Sequence, residues 1–195
     1  MSHAQEATED DLAPTQTEGY KIGQSKTVAE LAALDQEDES LQRWKQSLGL
    51  DTNAGSASKK VVPKTLFLSS PTLDQPITID LTQTAAELAK LKPMIIKEGI
   101  EYSVGITFAV EGQIVSGLKY LQVVKRAGVK LDKTEAMLGS YGPREAAYTK
   151  IFASEESPSG MLARSGSYVV KSRIIDDDQH VWLDFEWMFK LGKEW

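Results

Sequence analysis

At 195 residues, 41% of them hydrophobic, the chain has the size of one ordinary domain with room for a tail, and its net charge of −6 falls entirely on residues 1–50, since acids and bases balance from residue 51 onward. An acidic arm beside a neutral body argues against nucleic acid and for a basic protein surface or a basic tail near a membrane, while the lack of cysteine excludes a disulfide framework, a thiol nucleophile and a thiolate zinc site. No charged-then-apolar leader opens the chain and no apolar run nears the roughly 18 to 20 residues of a membrane span, so a soluble cytosolic protein is expected, meeting membranes only through what it binds.

Residues 1–25 are expected to be solvated and unfolded. "TVAE" (27–30) then has capping-box spacing, with Val28, Leu31 and Leu34 on one face behind it. A second helix start follows at Asp35, whose side chain can cap amides near Asp38, and Leu41, Trp44 and Leu48 form its stripe before Gly49 stops it. The arm, residues 1–58, therefore reads as helix, turn, helix over about 27–49, joined by the Gly/Ser/Ala linker at 51–60 to a body at 59–195. Helices this short are marginal alone and need a surface, either the protein's own body or a partner.

After the linker the apolar period changes from that of a helix to two. Leu66 and Leu68, then Ile77, Ile79 and Leu81, then Tyr102, Val104, Ile106, Phe108 and Val110 each share one face. The last run is the clearest: Val181, Leu183, Phe185, Trp187, Phe189 and Leu191 point one way, and Asp184, Glu186 and Lys190 the other. "TAAELAKLK" (84–92) is a short helix or loop insert. The turns "SPTLDQP", "VEGQ", "RAGV", "ESPSG" and "DDDQ" separate the runs, and "GSYGPR" (139–144) reads as a loop held by its glycines. Many short strands with little helix predict an all-β, immunoglobulin-like antiparallel sandwich of roughly seven to nine strands.

Catalytic chemistry is hard to find. "GSYGPR" lacks the Lys and Ser/Thr of a phosphate-cradling loop. His3 lies in the tail, and His180 follows "DDD" (176–178) without the further ligands a calcium loop needs. A metal-dependent hydrolase at Asp176, Asp178 and His180 is thus a remote alternative, and no enzyme, cofactor or metal is expected. The large apolar residues Phe108, Tyr120, Phe185, Trp187 and Phe189 could equally fill a core or line an apolar ligand site.

"LDQEDESLQRWK", "KEGIEY", "IVSGLKYLQ", "GVKLDKTEAMLGSYGPR", "GMLAR", "KSRIIDDD" and the closing "EW…KEW" together resemble the Rho GDP-dissociation inhibitors, from about residue 20 to residue 195. The resemblance implies a partner, a prenylated Rho-family GTPase held mainly in its GDP state as a 1:1 heterodimer. The arm would lie on the GTPase switches and block nucleotide release, and the geranylgeranyl group would enter the sandwich. Tyr20, Thr27, Asp38, Glu39, Ser40 and Leu41 match switch-contacting positions, with Trp44 where relatives often have tyrosine. Asp178 matches an acid gripping the GTPase at the sandwich rim, and Glu155 and Glu156 match acids facing its basic tail. For the prenyl pocket the matches are Leu68, Tyr102, Ile114, Val170 and Trp187, with Met94 where an aromatic is common. A general prenyl-protein shuttle, indifferent to nucleotide state, is the main alternative.

Overall fold

A computed structural model describes residues 12–15, 38–40, 43 and 60–195. Among these, ten strands stack as two sheets. The first has the order β2 (Ile77–Asp80), β1 (Lys60–Ser69), β4 (Glu101–Glu111), β7 (Tyr148–Ile151), with the two-residue β8 (Glu155–Glu156) pairing the start of β4. The second runs β3 (Met94–Lys97), β10 (Val181–Gly192), β9 (Ser167–Ile175), β5 (Val115–Arg126), β6 (Val129–Tyr141). Two single-turn helices, α1 (Ala85–Leu88) and α2 (Met161–Arg164), sit in connections.

The sandwich matches expectation, with three corrections. There are ten strands rather than seven to nine, and β3 lies parallel to β10, pairing Phe189 with Met94 and Leu191 with Ile96, so the architecture is not purely antiparallel. "GSYGPR" is loop only in its second half, because Gly139–Tyr141 complete β6 against Val115 and Leu118. Val181 does not share the inward face of β10: the register shifts between Val181 and Leu183, which leaves Val181 exposed while Phe185, Trp187, Phe189 and Leu191 are buried.

Alternation builds the core as read. Ile106, Phe108 and Val110 of β4 are buried against Leu118 and Tyr120 of β5 and Trp187 of β10, and Tyr102 and Val104 pack on the same cluster from its edge. The insert at 84–92 begins as a helix because Thr84 Oγ1 accepts from the Glu87 amide while Glu87 Oε2 accepts from the Thr84 amide, which seats Leu88 in the core.

In the arm, Asp38 Oδ1 accepts from the Ser40 amide at 2.9 Å, as an N-cap does, and Glu39 pairs with Arg43 at 3.4 Å one turn on. Asp38, Glu39 and Ser40 are exposed. Tyr20, Thr27, Asp35, Leu41 and Trp44 lie outside the described residues.

Candidate functional site

The interior between the sheets brings together four of the six residues matched to a lipid pocket. Leu68, Met94, Val170 and Trp187 belong to one buried cluster, and Tyr102 packs on its margin. Ile114 does not join them: it is half-buried in the turn after β4, at the far end of that strand from Tyr102. The interior is closed by its own side chains, and a polar chain runs through it. Trp187 Nε1 donates to Ser172 Oγ at 3.2 Å, Ser172 meets the Tyr120 hydroxyl at 2.8 Å, and Tyr120 donates to Gln122 Oε1 at 3.0 Å. With Tyr120 giving its proton to Gln122, Ser172 donates to Tyr120 and accepts from Trp187, so each group is satisfied. Burial pushes the Tyr120 hydroxyl well above its usual range, which keeps it a neutral donor.

Beside this chain the two sheets part. A small recess of about 20 Å³ lies between β4 and β5, walled by Tyr102, Val104, Tyr120, Gln122, Thr134 and Phe152, with Glu155 at its lip. Its rim is acidic. Tyr102 donates to Glu155 Oε2 at 3.1 Å, and burial first, then that carboxylate, pushes the Tyr102 hydroxyl far up. Strand register sets Glu156 directly opposite Glu101. Like charges facing each other across a ladder work against the pairing, so this acidic ridge is a place where a basic partner would be welcome.

A second exposed feature, α2, packs against β10. α2 is held rigidly: Glu98 takes the Arg164 guanidinium and the Gly160 amide, and these two contacts hold its carboxyl below the usual range. Arg126 donates to the Ser165 carbonyl at 3.0 Å, and Tyr168 to the Ala163 carbonyl at 3.0 Å. On that fixed ledge Met161 and Leu162 are 80% and 82% exposed, an apolar pair facing water on a part of the structure that does not need it there.

The "DDD" turn is built by its first two acids. Asp176 is buried and accepts from the His180 amide at 3.0 Å and Trp182 Nε1 at 2.9 Å. Asp177 donates its amide to the Ser116 carbonyl, and its carboxylate lies where a side chain at position 117 would begin, 1.7 Å from such a Cβ, so only Gly117, at φ +59°, fits. These contacts pin the turn to β5 and leave Asp178 exposed at its tip. Asp176 is thus a structural acceptor and His180 rests its ring 4.2 Å from Trp182, an arrangement unlike the hydrolase alternative; no cluster of metal-ligating side chains occurs among the described residues. Asp176→Ala would leave a half-buried amide and an indole N–H without that acceptor. We expect it to lower stability by about 3 kcal/mol, read as a fall in urea midpoint at unchanged slope.

The family profile described as "RHO protein GDP dissociation inhibitor" matches residues 3–194. The chain belongs to the Rho GDP-dissociation inhibitor family. Rho GDP-dissociation inhibitor 1 of Bos taurus is 43% identical over 178 residues, covering 90% of this chain and 86% of its own. The Schizosaccharomyces pombe inhibitor is 38% identical over 177 residues, at 89% and 86% coverage, and that of Saccharomyces cerevisiae 41% over 186, at 90% and 91%. These relatives are named for restraining GDP dissociation, a regulatory rather than a catalytic task.

Within this member of the family, residue reading missed Ser172, Phe152, Met161 and Leu162. Ser172 had a signal: Tyr168, Val170, Ser172 and Ile174 alternate along β9, and a serine at an inward position calls for a buried partner. Met161 and Leu162 sit in "GMLAR", but nothing in one sequence tells an exposed apolar pair from a buried one.

Proposed function

We propose that the chain is a cytosolic Rho GDP-dissociation inhibitor that holds prenylated, preferentially GDP-bound Rho-family GTPases, with its arm on the switch regions and the isoprenoid between its sheets. What carries the reading is the family match across arm and sandwich together, residues 3–194. A carrier of prenyl groups with no nucleotide sense would need only the sandwich. No helix among the described residues is long and apolar enough to cross a membrane.

The recess beside Tyr102 and Phe152 is the entry. At about 20 Å³ it is far smaller than the roughly 300 to 1,000 Å³ of ligand sites, so the sheets must part widely as a twenty-carbon chain enters, and Val170, Leu68, Met94 and Trp187 become its walls. Met161 and Leu162 offer an apolar landing as the lipid leaves the bilayer. Burying such a chain gains on the order of 10 kcal/mol over water, but a bilayer gives about the same. The balance is tipped by the contacts a bilayer lacks: Asp38, Glu39, Ser40 and Leu41 of the arm, with Tyr20, Thr27 and Trp44, on the switches; Asp178 on the GTPase body; and Glu155 and Glu156 on its basic tail. Liposome flotation tests this directly. The chain is expected to release geranylgeranylated Rho·GDP from vesicles, to release Rho·GTP less well, and to leave a prenylated peptide without a GTPase domain on the membrane. Equal release of all three would favour the nucleotide-blind shuttle.

A further inference from the structure

We propose that the outer face of β5, β6 and β9 is a docking surface for a short peptide, and that its occupant is the chain's own residues 12–15. Residues facing outward from a sandwich sheet are normally polar. Here Leu121 and Val123 point away from the interior that Leu118 and Tyr120 fill, and with Ile175 they make an apolar island on the outer face. All three are buried, because Leu12 lies on them and is itself only 8% exposed. A tail expected to be solvated has, at Leu12, one residue packed on the body, with Ala13 and Thr15 exposed beside it.

Three main-chain groups fix the segment's direction. Lys133 Nζ donates to the Ala13 carbonyl at 3.1 Å, Lys119 Nζ to the Thr15 carbonyl at 3.4 Å, and the Thr15 amide donates to Glu135 Oε2 at 2.9 Å. Strand register explains why these donors and acceptors surround the island: Glu135 lies across from Leu121 and Lys133 across from Val123. Pro14, between the two anchored carbonyls, has no amide to satisfy and holds Ala13 extended. Burial works to raise the Glu135 carboxyl, yet the bonds from Thr15 and Lys119 hold it below its usual range, as expected of a carboxylate engaged by the segment. The surface thus reads one leucine by shape and Ala13 and Thr15 by backbone.

The docking does not rest on the GTPase reading above.

The chain contains no cysteine, so Glu9→Cys in the full chain provides a single attachment point for a nitroxide. In cargo-free protein the amide signals of Leu121, Val123 and Ile175 should be lost to paramagnetic broadening, should return with Leu12→Asp, and should stay lost with Leu12→Met. An equal mixture of spin-labelled and isotope-labelled molecules should show no such loss. Unbroadened signals, broadening indifferent to Leu12→Asp, or broadening that appears between molecules in the mixture would each overturn the proposal. None of these readouts involves a GTPase, so their failure leaves the inhibitor reading standing, and failure of that reading leaves the docking intact.

Discussion

A chain lacking residues 1–58 is expected to remain a folded sandwich and to lose its hold on nucleotide release. Every strand among the described residues lies at or beyond Lys60, and the arm's one described contribution to packing is Leu12 on the outer face. Loss of that contact exposes Leu121, Val123 and Ile175 without touching the interior, so thermal unfolding should stay cooperative. Binding should suffer far more. Two linked contacts exceed either alone by about 10² to 10⁴ when the tether permits both, and truncation returns the complex to its lipid contact. Release of labelled GDP from a prenylated Rho GTPase should then run near its uninhibited rate at concentrations where the full chain suppresses it. Undiminished suppression by the truncated chain would refute the role proposed for Asp38, Glu39, Ser40 and Leu41.

The second large effect is expected from filling the recess. Val104→Trp puts a bulky side chain at a half-buried position where β4 borders the small recess, so its cost should fall within the about 1–3 kcal/mol of overpacking a core. Keeping a single five-carbon isoprene unit out of the pocket forfeits about 4 kcal/mol, roughly a thousandfold in affinity, enough to abolish extraction from liposomes. A charge at Trp187 is a poorer probe. That indole is buried and bonded to Ser172, so Trp187→Glu strands a carboxylate in the core and threatens the fold itself. Folded Val104→Trp protein that extracts normally would place the isoprenoid elsewhere.

Long, half-buried strands were legible because one buried face writes a period of two into β4 and the second half of β10. β3 was not: four residues, "MIIK", are too few to show a period, and which strand they join is decided by packing across the chain, here in parallel with β10. Val181 misled because a register shift resets the alternation that sequence spacing assumes. For the site, periodicity located Tyr102 and Trp187 on inward faces but could not tell core from pocket. The roles of Asp178, Glu155 and Glu156 came only from resemblance, since exposed acids carry no pattern. Leu12 escaped notice for a related reason: one leucine among acids looks like a tail, and the island it covers is split between β5 and β9, far apart in the chain.

The place of β10 bears on how the molecule is born. β10, made after both its neighbours, lies between β3 and β9, so Met94–Lys97 has no strand to join until Phe189–Gly192 has left the ribosome. Domains generally fold as units, and translation adds about 5–20 residues per second. The nascent chain therefore waits with β3 unpaired, and a stop codon anywhere in the twelve residues of β10 should yield aggregates instead of a weakened inhibitor.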